Sequence, residues 1–184
     1  MTTALTTAVP TGTWTVDPAH SSVEFQVKHL GIATVKGHFH EFEGGLEIAA
    51  DGTPAKAYGT VKVASVDTRE EQRDAHLRSP DFFDAEQFPE ITFESTHVEA
   101  IDDESSCVRG NLTMHGVTRE IKFTVLLQGT DTDPWNNLRA GLEAVATLNR
   151  SEFDMKFNQA LGSGNVLVGD KVKIALEISA ILQI

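Results

Sequence analysis

The chain carries one cysteine, Cys107, among 184 residues, so no disulfide can form within it. That fits a reducing compartment, and Cys107 reads as an ordinary strand residue with no catalytic pattern beside it. Basic residues are scarce too: 15 Lys and Arg stand against 27 Asp and Glu, a formal net charge of −12. With no Lys/Arg run, the chain gains nothing from phosphate counterion release, which argues against nucleic acid as a partner. Anionic membrane surfaces should repel it as well. No apolar run approaches the ~20 residues of a transmembrane helix. The opening MTTALTTAVP lacks the basic and apolar regions of a signal peptide, so a cytoplasmic location is expected. No GxSxG elbow occurs, Ser21 and Ser22 neighbour His20 in sequence only, and no carboxylate pair suggests acid–base work. There is no internal repeat and no domain boundary after residue 13. Residues 1–12, rich in Thr and Ala, read as a disordered tail ahead of one domain over 13–184.

What the chain does have is alternation. In His20–Gly31, HSSVEFQVKHLG, Val23, Phe25 and Val27 alternate with polar residues, the mark of a strand with one dry face. Similar runs are predicted over Thr13–Val16, Val35–Ile48, Ala55–Ala64, Glu90–Ala100, Ser106–Met114, Val117–Gln128, Leu138–Asn149 and Val172–Leu182. Gly37, Gly44 and Gly45 suggest bends in the Val35–Ile48 run. Asp51-Gly52 and His115-Gly116 suggest hairpin turns, with His115 at positive φ. One helical segment interrupts, at about 67–84: Asp67 reads as the N-cap and Glu70 as its capping-box partner, and Ser79-Pro80 restarts a short turn. A loop rich in Gly and Asn spans Arg150–Asp170.

So many consecutive hairpins imply an all-β antiparallel meander, and an open edge of that length favours closure into a barrel or sandwich. A barrel of about eight strands is either plugged by side chains or holds one small ligand. The row Ala140, Ala144, Ala146 leaves space unless bulky neighbours cover it, and an unfilled apolar bore suits a hydrocarbon chain. Each five-carbon isoprene unit buried there would gain about 3–4 kcal/mol before ordering costs. His29 follows the dry row of the second strand and precedes Gly31, which places it at the barrel rim, facing a turn carbonyl or a ligand head.

Several motifs then resemble the YceI-like family of polyisoprenoid-binding, lipocalin-like barrels, from about Trp14 to Leu182. They are WTVDPAHSSVEF from Trp14, His29-Leu30-Gly31, Val35–Phe39, Ser65–Thr68, Arg73–Asp84, Phe88–Phe93, Leu112–Thr118, Asn149-Arg150 with Phe153, and Val166–Val172. The resemblance implies an eight-stranded antiparallel β-barrel with a helical segment against one side. It also implies a long-chain isoprenoid lipid, of polyprenyl phosphate or quinone type, carried or stored in the bore without catalysis or cofactor, and a homodimer. Two departures stand out. The chain reads Glu152-Phe153-Asp154 where relatives read Asp-Phe-Gly, and Phe157 where they often carry Trp. Many relatives are exported, whereas this chain opens without a signal.

The expected ligand-binding residues are Val23, Phe25, Val27, Phe39, Phe82, Phe83, Ile91, Phe93, Phe123 and Val125 along the tail, with His29, Arg73 or Arg150 near the head. The charged segment Arg69–Asp84 could contact an anionic head, or be a solvated helix face. His38 and His40 share one strand face, as two metal ligands would, but Phe39 and Phe42 look buried there, which turns both histidines to solvent. His97 falls on the Ile91–Phe93 face. No catalytic residue and no metal ligand is assigned. Two alternatives to a lipid carrier remain: a His-dependent, metal-assisted enzyme, and an interaction module with a packed barrel.

Overall fold

A computed structural model describes residues 9–184. Among the described residues eleven strand segments, one α-helix and three 3-10 turns follow one another. The strands are β1 (Gly12–Val16), β2 (Ser22–His29), β3 (Ala33–Phe39), β4 (Phe42–Ile48), β5 (Pro54–Lys62), β6 (Val66–Asp67), β7 (Glu90–Ala100), β8 (Ser105–Met114), β9 (Val117–Thr132), β10 (Leu138–Asn149) and β11 (Val168–Leu182). Helix α1 covers Glu71–Arg78.

The eleven segments lie end to end as eight strands. β1 and β2 form one strand interrupted by a 3-10 turn at Pro18–His20, where the Asp17 side chain accepts from the Ala19 N–H. β3 and β4 form the next, bent at His40 and Glu41. β5 and β6 form the third, broken by the 3-10 turn Val63–Ser65. The two bends are tied together: the His40 N–H donates to the Ser65 carbonyl and the Glu41 N–H to Ser65 Oγ. Every neighbouring pair is antiparallel, and β11 closes the ring on the first strand. Trp14 sits on that seam, opposite Leu46 on one side and Leu182 on the other, and is fully buried. The expected eight-stranded barrel is thus present, and what reads as eight or nine strands is eleven pieces because three strands bend.

The barrel has two ends. Turns 49–53, 101–104 and 133–137 lie at the hairpin end; turns 30–32 and 115–116, the helical segment 68–89 and the loop 150–167 lie at the other, the helix end. His115 (φ +53) and Gly116 (φ +72) make the left-handed turn that β8 and β9 need.

The helix starts later than the sequence suggests. Glu70, not Asp67, is the N-cap: its carboxylate accepts from the Gln72 and Arg73 N–H groups. Asp67 belongs to β6 and accepts from the Arg69 N–H and from His40 Nε2. The turn between them needs Arg69 at φ +67, so the chain cannot run on from Asp67 as helix. Ser79 closes the helix, and its carbonyl accepts from Phe82 and Asp84 N–H groups in the turn that follows. The tail expected over residues 1–12 falls partly outside the described residues. Within them, Val9 packs on the Trp14 cluster, the Pro10 carbonyl accepts from Trp14 Nε1 and Thr11 Oγ1 donates to the Ala49 carbonyl.

Candidate functional site: a hollow apolar bore

Two apolar clusters pack the barrel, and neither fills it. Near the hairpin end Trp14 covers Ala140 and Ala180, with Ile48 beside them. On the β8–β10 wall toward the helix end, Phe153 and Met155 pack with Ala146, Leu148 and Ile121. Between these clusters runs a cavity of about 520 Å³. An engineered apolar void of ~150 Å³ already holds a benzene, so this one has room for a chain rather than a single ring. Its side chains explain the accessibility of the inward rows. Phe25, Phe93, Val98, Val125, Ile174 and Leu176 face inward yet are only partly buried, because their inner surfaces meet the void instead of a neighbour.

Local backbone choices keep the bore open. Phe25 lies flat on Gly37, its cross-strand partner, so closely that a Cβ on Gly37 would come within 2.2 Å of the ring. The ring therefore hugs the wall instead of crossing the bore. At the helix end the segment after α1 folds inward. Phe83 stacks edge-on against Phe25 and Phe39, and Phe82 packs with His76 and Phe157. Leu77, Phe82, Phe83, Met155 and Arg150 form the floor there. At the hairpin end the cavity reaches Gly52, Pro54 and the exposed carboxylates of Asp102, Asp103 and Glu104. The N–H groups of Glu104 and Ser105 hold the Asp102 carboxyl below its ordinary range, so this mouth is negative.

Val23, Phe25, Val27, Phe39, Phe82, Phe83, Ile91, Phe93, Phe123, Val125 and Arg150 all line this cavity. His29 and Arg73 do not. His29 is exposed at the last pair of β2, opposite Ala33 and Val168. Arg73 turns back on the turn that precedes the helix: Nε donates to Thr68 Oγ1 and Nη2 to the Thr68 carbonyl, while Asp74 accepts from the Thr68 N–H. The wall also contains residues outside the expected ligand-binding set. Ile174 and Leu176 of β11, Leu142 and Ala144 of β10 lie on dry rows visible in the sequence. Val98 does not follow the same rule. A bulge between Ser95 and His97 shifts the alternation, so Val98 and Ala100 face the bore and His97 is exposed instead of sharing the face of Ile91 and Phe93.

Among the charged residues that line the cavity Arg150 is the buried one, only 5% exposed. Three backbone carbonyls hold it: Nε donates to Gly169 at 2.9 Å, Nη1 to Met155 at 2.8 Å and Nη2 to Val168 at 3.2 Å. Its guanidinium lies 5.8 Å from the Phe82 ring centroid. Burial pushes its pKa down, and the charge of Asp170 only partly offsets this. The Asp170 carboxylate is itself engaged by the Ser151 N–H and hydroxyl.

The other histidines sit outside the bore. His38 pairs with Glu24 at 3.0 Å and His40 with Asp67 at 2.8 Å on the outer face, with their rings stacked 6.5 Å apart. His115 contacts the Phe153 carbonyl at 3.0 Å. Among the described residues no three His, Cys, Asp or Glu side chains are grouped to hold a metal ion, and no helix is long and apolar enough to cross a membrane.

Comparison with known proteins places this geometry. The family described as the YceI-like domain matches residues 14–180. A UPF0312 protein of Staphylococcus aureus (strain N315) is 40% identical over 162 residues, 87% of this chain and 92% of that one. Among solved structures, BcnA of Burkholderia cenocepacia superposes with a TM-score of 0.77 at 23% identity, covering 89% of this chain and 98% of BcnA. The YCEI protein of Campylobacter jejuni gives 0.72 at 28% identity, over 85% and 90%. A polyisoprenoid binding domain from Saccharophagus degradans, implicated in plant cell wall breakdown, gives 0.69 at 14% identity, over 92% and 98%. The match runs from the seam tryptophan Trp14 to the buried Ala180 beside it, the full circuit of the barrel, and the chain belongs to the YceI-like family.

Proposed function

We propose that this protein binds an isoprenoid lipid of polyprenyl phosphate or quinone type, with the tail threaded through the barrel, and carries or stores it without chemistry. The observation that carries this reading is the apolar hollow of about 520 Å³ along the axis of a closed barrel. A strand such as β8, ten residues at ~3.3 Å each and tilted by ~40°, spans roughly 25 Å of that axis. A void of this shape suits a single chain rather than a compact ligand. A methyl-branched tail matches a wall of Phe, Val, Leu and Ile, each buried CH₂ contributing about 0.8 kcal/mol. The likeness to a domain described as polyisoprenoid binding supports the same reading. Native mass spectrometry of the protein taken directly from its expression host tests it, followed by organic extraction of whatever is bound. A species with a mass ladder of isoprene units is expected. Lipid-free protein from several hosts, with no uptake of added prenyl lipids, would refute it.

A further inference from the structure

We infer that the hairpin end of the barrel is a docking surface for a zwitterionic lipid bilayer, with Trp135 as its anchor and the mouth of the bore facing the bilayer. This rests on the lipid-binding reading and adds the partner with which the lipid is exchanged.

The two tryptophans of the chain have opposite places. Trp14 is fully buried on the seam, whereas Trp135 is 78% exposed at the tip of turn 133–137. That tip is not slack. The Asp133 carboxylate, largely withdrawn from solvent, accepts from the N–H groups of Trp135 at 3.0 Å and Asn137 at 2.9 Å and from Arg139 Nε at 2.7 Å. Arg139 Nη1 in turn reaches over β11 to Asp17 at 2.8 Å. An indole held out on a rigid turn loses little freedom when it is covered. Ile101, at the start of turn 101–104, is 59% exposed at the same end, where the cavity opens beside Gly52, Pro54 and Asp102. Apolar side chains thus stand on separate turns at the opening of the bore. An indole, apolar at one end and wet at the other, suits the boundary between water and acyl chains. The cargo asks for the same partner. A long tail is costly to pass through water, so the mouth has to meet the bilayer that supplies or receives it.

Charge decides which bilayer. Turns 49–53, 101–104 and 133–137 hold five carboxylates, Asp51, Asp102, Asp103, Glu104 and Asp133, and no Lys or Arg. An anionic surface repels such a rim, whereas the outward ammonium groups of phosphatidylcholine complement it.

Phosphatidylcholine vesicles added to the unaltered protein test this through tryptophan emission and cosedimentation. Trp135 emission should shift to the blue and be quenched by brominated acyl chains, while Trp14, already buried, contributes no change. Replacing about a third of the lipid with phosphatidylglycerol should weaken binding, and added salt should restore it. Trp135→Ala should lower vesicle affinity at least about 10-fold and Ile101→Ser at least about 3-fold, as the loss of buried apolar surface gives. Ile32→Ser, at the helix end, where Ile32 is also 78% exposed, should leave it unchanged. If phosphatidylcholine does not bind while geranylgeraniol is still taken up from detergent micelles, the docking surface fails and the lipid-binding reading stands. Docking without any uptake of geranylgeraniol would support the surface and refute the lipid-binding reading. Binding that strengthens with phosphatidylglycerol, or that is lost in Ile32→Ser and kept in Trp135→Ala, overturns the assignment. So does self-association of the protein that Trp135→Ala abolishes, which would make the tip a contact between two copies.

Discussion

Ala144 and Ala146 offer a paired test of the hollow. They lie two residues apart on the same face of β10, buried in the same apolar cluster, and differ in that Ala144 lines the cavity and Ala146 does not. Ala144 lines the cavity, flanked by Val125 and Leu176 across the sheet. Ala146, in the same cluster with Phe153 and Met155, does not reach the cavity. Ala144→Phe should place its ring in empty space, so stability should stay within about 1 kcal/mol of the parent protein. Ala146→Phe should force a filled wall apart and cost about 1–3 kcal/mol. For binding, the ring at 144 takes the place of roughly one isoprene unit. Five carbons at about 0.8 kcal/mol each is about 4 kcal/mol, or close to 1,000-fold in affinity. Urea unfolding with unchanged slope reads the first quantity, and geranylgeranyl phosphate titration reads the second. The reasoning is refuted if Ala144→Phe is destabilised as much as Ala146→Phe and binds lipid as the parent does, because the bore would then be solid at that level.

Other outcomes follow from the same geometry. Gly37→Val would drive the Phe25 ring off the wall and into the bore, so lipid affinity should fall by at least about 10-fold, measured by the same titration. Asp154 holds φ +60, a backbone conformation that glycine adopts without a Cβ penalty, so Asp154→Gly should raise the melting temperature by about 1–3 °C in a thermal scan. Burial pushes the Asp133 carboxyl up, but hydrogen bonds from Arg139, Asn137 and the Trp135 N–H outweigh it and hold the group well below its usual value of 3.8. A carboxyl depressed by folding contributes stability that is complete above the unfolded value and is lost as pH falls below it. The urea midpoint should therefore hold from neutrality to about pH 4 and drop below that, with a shallower drop in Asp133→Asn.

Much of the fold was legible because strand alternation and turn chemistry are local. The limits Glu90–Ala100 and Leu138–Asn149 agree to the residue, and His115-Gly116 takes the left-handed turn its composition suggests. Three features were hidden because their causes are not local. The bends that split three strands depend on cross-strand ties such as Ser65 to Glu41. The bulge at Ser95–His97 leaves no mark in composition yet swaps Val98 inward and His97 outward. The capping signal at Asp67 was outweighed by β6 pairing with β3, which draws Asp67 into the sheet and passes the cap to Glu70. Within the site, the apolar wall followed from parity, since inward rows of a closed barrel must meet. His29 and Arg73 did not, because the exposure of His29 and the bonding of Arg73 back to Thr68 depend on where the chain goes after each strand and cap. The alanine row has a divided fate for the same reason: distant Trp14 covers Ala140, Phe153 and Met155 pack with Ala146, and Ala144 is left facing the void.

Diffraction from crystals grown with geranylgeranyl phosphate tests the central claim most directly. A continuous thread of density along the axis, passing Phe93, Val125 and Ile174, is the result expected of a hollow barrel that holds a tail. A bore closed by its own side chains, with the lipid absent or lying on the outer face, would contradict it.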